Sequence, residues 1–305
     1  MQKRLGRIFG VIAVLVLCLG AGWYISTSSN AQKTSTNIQV VATFFPLADF
    51  AKTIGGSHVD VIQITPDGVE VHEYEPSPQD VATLLSADVV LVNGGGVDAW
   101  ADDVLVDAQA LGVTVVRMSD VVPFIEHDGV VDPHAWLDLA RAQEMVRAMG
   151  EALISRDSEH AAEYARNTNA LQADLAELDE RFQTTLASCQ SRTIFVAHDA
   201  FSYWALRYNV DVHAVSGISP EAEPSVQDLA NIIREAKELQ VTTIFFESPA
   251  STALATTIAD EIGVAVDVLN PLEGRTPEQG ALGATYLTLM QENLNALSRA
   301  LTCQQ

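Results

Sequence analysis

Residues 158–188 read SEHAAEYARNTNALQADLAELDERFQTTLAS and contain neither glycine nor proline. Leu171, Leu175, Leu178, Phe182 and Leu186 recur at spacings of three and four, the apolar stripe of one amphipathic helix. At 1.5 Å per residue, about 30 residues reach roughly 45 Å, enough to run across two compact halves as a stiff rod. Acidic residues along it, among them Glu163, Asp174 and Glu177, are read as a solvated face.

On the N-terminal side of this rod, short β-branched runs at 38–44, 59–64, 89–93 and 113–118 alternate with helical patterns at 45–54, 77–86 and 99–110. On its C-terminal side, runs at 193–197, 210–215, 242–247 and 265–269 alternate with helical patterns at 200–208, 225–239, 251–262 and 284–301. Such alternation predicts parallel βαβ units on both sides. The expected fold is therefore α/β, with two (β/α) lobes carrying parallel sheets and joined by one long rigid helix. A chain of 305 residues fits two lobes better than one core. The expected segments are an N-terminal lobe at 32–156, the linking helix at 157–188 and a C-terminal lobe at 189–305.

Residues 1–31 are set apart. Lys3, Arg4 and Arg7 precede an uncharged apolar stretch at 8–25, and small residues end at Ser29-Asn30-Ala31, as in a secretory signal peptide cut after Ala31. A retained membrane anchor is the alternative reading of the same stretch. Cys18 follows Leu17, whereas lipoprotein processing calls for a small residue there. The chain is thus expected outside the cytoplasm, in a periplasm or on the outer face of the cytoplasmic membrane. Disulfides persist in such compartments, and Cys189 and Cys303 are the two cysteines beyond residue 31, so they are expected to pair.

With 17 basic and 40 acidic residues the formal charge is −23. A surface this acidic repels phosphate backbones, which argues against nucleic acid as a partner and for a cation as a ligand. Hydrophobic residues at 48% exclude a disordered chain.

Open parallel sheets bind ligands beyond the carboxyl ends of their strands. Three of the seven histidines fall there. His72 follows the second run, just before Ser77, which reads as a helix N-cap with Pro78 at the first helical position and Asp80 completing a capping box. His134 lies in Asp132-Pro133-His134-Ala135-Trp136-Leu137-Asp138, where Asp132 is read as a cap and Pro133 as the start of a helix running to Ile154. That places His134 in a first helical turn, where the helix dipole disfavours imidazolium. His198 ends the run at 193–197. Neutral imidazoles on rigid elements are what zinc binding requires, because protonation removes the donor lone pair. His58, His127, His160 and His213 lack this placement and are read as ordinary surface or loop residues. Gly94, Gly95 and Gly96 are read as a turn, since no Lys-Ser/Thr follows to make a phosphate loop.

The segments 72–78 (HEYEPSP), 132–138 (DPHAWLD), 197–201 (AHDAF) and 217–225 (GISPEAEPS) resemble those of the zinc/manganese solute-binding proteins of ABC importers, the ZnuA/TroA-like group. The resemblance covers nearly everything after residue 37 and extends to Tyr164 and Asn167. It implies two lobes bridged by a long helix, metal in the cleft between them, and His72, His134 and His198 as ligands. Many relatives carry an aspartate in the last loop, where this chain reads Leu269-Asn270-Pro271-Leu272-Glu273-Gly274. Asn270 is a poor zinc ligand, Glu273 resembles the glutamate of a zinc-binding branch, and Asp267 is a weaker candidate. Three imidazoles and one carboxylate suit tetrahedral Zn²⁺; Mn²⁺, the alternative, prefers more oxygen. The histidine-rich loop of some zinc-specific relatives is reduced here to His127 within 123–132. Segment 217–225 also reads plainly as a turn feeding a helix capped by Ser225, with Asp228 three residues on.

The expected function is a monomeric, non-catalytic receptor that delivers zinc to an ABC membrane permease. A zinc hydrolase would need an open coordination position and a general base, and no His-Glu-x-x-His helix is present. Adhesion, known in some relatives, has no sequence mark here.

Overall fold

Eight runs of mainly β-branched and aromatic residues form two four-stranded parallel sheets in the computed structural model, which describes residues 37–127, 129–218, 226–247 and 252–304. The leader expected at 1–31, the cap expected at Ser225 and most of the 217–225 motif lie outside the described residues.

In the first half, β1 (Ile38–Ala42), β2 (Val59–Gln63), β3 (Val89–Val92) and β4 (Thr114–Arg117) pair in the order β2-β1-β3-β4. Val40 stands opposite Val61 on one side and Val89 on the other. Helices α1 (Phe45–Gly55), α2 (Pro78–Leu85) and α3 (Asp102–Ala110) follow the first three strands, and a single helical turn, α4 (Met118–Val121), follows the fourth. Ser77 and Asp80 form the expected capping box on α2. The three glycines form a turn after β3, with φ of +79°, +69° and +99° at Gly94, Gly95 and Gly96. A Cβ at Gly95 would come within 2.8 Å of the Phe124 ring, so both conformation and space call for glycine there.

A hairpin of β5 (Ile125–His127) and β6 (Val130–Asp132) leads through a 3₁₀ turn, Ala135–Leu137, into α5 (Leu139–Arg156). The helix expected to start at Pro133 therefore starts at Leu139, and its cap is Asp138, whose carboxylate accepts from the Ala140 amide at 3.0 Å. The rod is α6 (Ala161–Ala187), preceded by a 3₁₀ turn, Ser158–His160. All five residues of its expected stripe are buried. Asp174 and Glu177 are exposed as expected, whereas Glu163 is half-buried and pairs with His58. Asp179 is also buried, held by Arg207 and by the Tyr208 hydroxyl at 2.8 Å.

In the second half, β7 (Thr193–Val196), β8 (Asp211–Ala214), β9 (Thr243–Phe246) and β10 (Ala265–Val268) pair in the order β10-β9-β7-β8, which repeats the first half's topology strand for strand. Helices α7 (Ser202–Tyr208), α8 (Val226–Glu238), α9 (Thr252–Ile262), α10 (Pro277–Ala281) and α11 (Tyr286–Ala300) complete it. One apolar core runs from Val40 and Phe50 through Leu171, Leu175 and Phe182 to Val196 and Leu294, so α6 is the spine on which both halves pack. A disulfide joins Cys189 to Cys303 across 114 residues of chain, as expected from their compartment. Among the described residues no helix is long and apolar enough to cross a membrane.

Candidate metal centre

In each sheet the first strand is flanked by the second and third, so chain direction across the sheet reverses beside it, and the carboxyl ends there make a crevice. The histidines picked out by that rule meet in the structure. His72 arrives in the loop after β2, His134 just after β6 and His198 two residues after β7, while Glu273 comes from the loop after β10. The Glu273 Oε1 atom lies 3.3 Å from His72 Nε2, 3.0 Å from His134 Nε2 and 3.2 Å from His198 Nε2. The Nε2 atoms of His134 and His198 are 3.4 Å apart. All four donors lie within 4.8 Å of one another, and this is the one such group of metal-compatible side chains among the described residues. His134 and His198 side chains are fully buried, whereas His72 keeps 10% exposure and forms the rim.

Two carboxylates orient the imidazoles from behind. Asp132 accepts from His134 Nδ1 at 2.7 Å and from its backbone amide at 2.9 Å. Glu247, just past β9, accepts from His198 Nδ1 and from the His198 amide at 3.1 Å. An ionised carboxylate only accepts, so both Nδ1 atoms carry hydrogen and both Nε2 atoms are turned inward. Burial disfavours the charged form of both rings. Asp132 and Glu273 overcome this at His134, and Glu273 with Glu247 does so at His198, holding both above the ordinary histidine value. Burial likewise opposes ionisation of Glu273, yet His198, His134 and His72 hold its carboxyl well below the usual carboxylate range. Glu70 accepts from the His72 amide at 3.2 Å, and burial together with the nearby Glu273 pushes its carboxyl up to about 7.

The segment carrying His134 is pinned by the other half of the molecule. Trp204 Nε1 donates to the Leu137 carbonyl at 2.9 Å, the Tyr203 hydroxyl to the Asp132 carbonyl at 2.8 Å, and Trp136 Nε1 to the Pro271 carbonyl at 2.8 Å. The Glu273 loop is fixed in turn by Asn293, which exchanges two hydrogen bonds with the Asn270 backbone, and by Asn270 Oδ1, which accepts from the Leu272 amide at 2.7 Å. Leu272 has a left-handed φ of +58°. That conformation is uncommon for a leucine, and the Asn270 contact helps hold it.

Asp267 does not reach the cluster; its carboxylate pairs with Arg299 at 2.8 Å. Nor do three other histidines. His58 stacks on His160 with centroids 3.7 Å apart, and His213 pairs with Asp211 and Glu235. His134 stands at the head of the 3₁₀ turn, not in a helical turn, so burial together with Asp132 and Glu273, and not a helix dipole, sets its electrostatics. In the sequence Glu247 is simply the last residue of the strand run at 242–247. The same strand-end rule applied to carboxylates as well as histidines would have found it.

With zinc–ligand bonds of about 2.0–2.2 Å, a tetrahedral ion separates its donors by roughly 3.3 Å. Four of the six donor separations, 3.0 to 3.4 Å, bracket that value, and all six lie within 4.8 Å. The fold and this donor set define the class of two-sheet solute-binding proteins built around a metal-compatible centre. Residues 40–300 match the family described as zinc-uptake complex component A, periplasmic (ZnuA), and the chain belongs to that family. It is 32% identical to the high-affinity zinc uptake system protein ZnuA of Bacillus subtilis (strain 168), over 99% of both chains. The crystal structure of the Zn(II)-bound ZnuA-like domain of Streptococcus pneumoniae AdcA is 32% identical, with a TM-score of 0.78 over 87% of this chain and 99% of that one. The periplasmic zinc-binding protein TroA of Treponema pallidum, at 24% identity and a TM-score of 0.80 over 87% of this chain and 99% of that one, shares the fold.

Proposed function

We propose that the protein is an extracytoplasmic receptor that captures one Zn²⁺ ion with His72, His134, His198 and Glu273 and hands it to the membrane permease of an ABC importer. The observation that carries this reading is the convergence of three imidazole nitrogens and one carboxylate oxygen within 4.8 Å of one another, the donor set of a four-coordinate zinc site. Three nitrogens and one oxygen favour zinc over manganese, which seeks more oxygen donors. Named relatives support the cargo and the route, since the B. subtilis protein is a zinc uptake component. Function as a monomer, with lobes at 32–156 and 189–305 about the helix at 157–188 and a leader at 1–31, belongs to the same proposal.

Catalysis is not part of it. A catalytic zinc keeps a position open for water, whereas Glu273 closes the fourth position and the whole residue is only 7% exposed. Purification without added metal followed by elemental analysis should return one zinc per chain. Two or more ions, manganese in zinc's place, or metal-dependent turnover of ester, peptide or phosphate substrates would overturn the reading.

The site's electrostatics make a prediction about pH. His134 and His198 are held above the ordinary value, so each keeps its proton to higher pH and zinc must displace it. Affinity is then full above the raised values and is lost as pH falls through them. Between about pH 7 and 5 the loss should approach tenfold per pH unit for each displaced proton. Competition titrations that give the same affinity across this interval would contradict a three-imidazole site. A second prediction concerns the supporting carboxylate: Glu247→Gln loses the charge that orients His198 and should weaken zinc roughly 10- to 100-fold with the ligand set intact. Equal affinities would show that Glu247 has no part in it.

A further inference from the structure

Two residues beyond Glu273, Arg275 reaches across the seam to the loop that carries His72. Its Nη2 lies 2.9 Å from Asp67 Oδ2, its Nε donates to Asp67 Oδ1 at 3.4 Å, and its Nη1 donates to the Ala284 carbonyl at 2.9 Å. The guanidinium also sits over the Phe45 ring, 4.7 Å from the centroid. Asp67 is held from behind by Gln63 Nε2 at 3.2 Å. Asp67 and Arg275 are 208 positions apart in sequence and only 24% and 15% exposed, so this is a partly desolvated bridge between the first and second halves. Helix α10 closes over it. A Cβ on Gly280 would stand 2.4 Å from Asp67 Oδ2, so the close approach depends on glycine.

We infer that Asp67 and Arg275 form a latch that positions Glu273 against His72 and sets how fast the site releases its ion. The inference rests on the zinc-site reading above. The Glu273 carboxylate, from the second half, lies against all three imidazoles, of which His72 and His134 come from the first half. Ions leave a four-donor site by losing donors in sequence, and the rim pair, His72 and Glu273, is the one the latch ties together. Without it the Glu273 loop stays fixed by Trp136 and Asn293, so binding survives but the rim at His72 opens more often. Differences of this kind fall on dissociation more than on association.

The test is zinc release into excess chelator, followed by stopped flow on the full chain, beside thermal unfolding of the metal-free protein. Asp67→Asn removes one charge with little change of shape, Arg275→Gln removes the guanidinium together with its contacts to Ala284 and Phe45, Gly280→Ala pushes on the bridge with both charges present, and Arg275→Lys keeps the charge. Release should speed up at least about fivefold in the first three, with Asp67→Asn plus Arg275→Gln no faster than either alone, and Arg275→Lys should recover part of the rate. Metal-free unfolding should move by no more than about 3 °C, because a bridge this close to solvent adds little stability. Wild-type release rates in Asp67→Asn, Arg275→Gln and Gly280→Ala, in a protein that binds one zinc and loses it in His134→Ala, would overturn the latch and leave the site standing. Undiminished zinc binding in His134→Ala would overturn both. Faster release accompanied by an equal loss of metal-free stability and no recovery in Arg275→Lys would reduce the pair to a structural role and also overturn the inference.

Discussion

His134→Ala is expected to cost at least about a hundredfold in zinc affinity, near 2.7 kcal/mol, and Glu273→Gln at least about tenfold. His134 is fully buried, with Asp132 behind it and Glu273 in front. Deleting its ring strands two carboxylates around a cavity that water fills poorly as a donor. His72→Ala should cost less, because the rim side chain is 10% exposed and water can take its place. Glu273→Gln preserves shape and removes the charge that offsets the cation. Asp267→Asn should leave affinity within about twofold, since Asp267 faces Arg299. Asn270→Ala, by contrast, removes the acceptor that steadies Leu272 beside Glu273, and should weaken binding through the loop. Competition titrations across this set decide the assignment. Wild-type affinity in Glu273→Gln with a large loss in Asp267→Asn would put the carboxylate elsewhere, and near-normal binding in all three histidine variants would abolish the site.

Breaking the Cys189–Cys303 bridge should have the largest effect on stability. With the cysteines 114 positions apart in sequence, the chain-entropy relation allows roughly 4 to 5 kcal/mol, acting on the unfolded ensemble. For a domain of this size that corresponds to a fall of about 7 to 9 °C in melting temperature. The folded ends should stay together after reduction, because the Gln190 and Ser191 amides both donate to the Leu301 carbonyl at 3.2 Å. Metal-free protein carrying Cys189→Ser and Cys303→Ser should therefore fold, bind zinc and unfold at lower urea. Coincident urea midpoints for oxidised and reduced protein would show that the bridge adds nothing. Alkylation of two thiols in the absence of reductant, read by intact mass, would show that it does not form.

The strand and helix pattern was legible because it depends on local periodicity. Runs such as TIFV and VVLV are too short and too β-branched for helices, and the stripe from Leu171 to Leu186 cannot be a strand. The turn at 133–138 was misread because Asp132-Pro133 and Asp138 both look like helix starts to a local rule. The choice went to Asp138 because Asp132 is taken by His134, a contact that local rules do not weigh. Among site residues, the histidines were visible by their place at strand ends. Glu247 also stands at a strand end, where the same rule makes it a candidate, but its role is fixed only by its contact with His198.

The β5–β6 hairpin and α10 were not foreseen; what the sequence determined by itself was the eight parallel strands and the principal helices between them, the linking rod, the pairing of Cys189 with Cys303 and the three histidines worth watching. Each follows from spacing, residue type or compartment, which are properties of the chain read in order. Only the tertiary structure decided that Glu273, and not Asp267, faces the imidazoles, that Asp132 and Glu247 stand behind them, and that Asp67 meets Arg275. Those contacts join residues as far as 208 positions apart, and neighbouring side chains on one loop differ in role solely by which way the packed backbone turns them. Asn270, Leu272 and Glu273 show why: a left-handed leucine held by an asparagine aims the glutamate inward, and nothing in the order of the letters specifies that turn until both halves are packed around it.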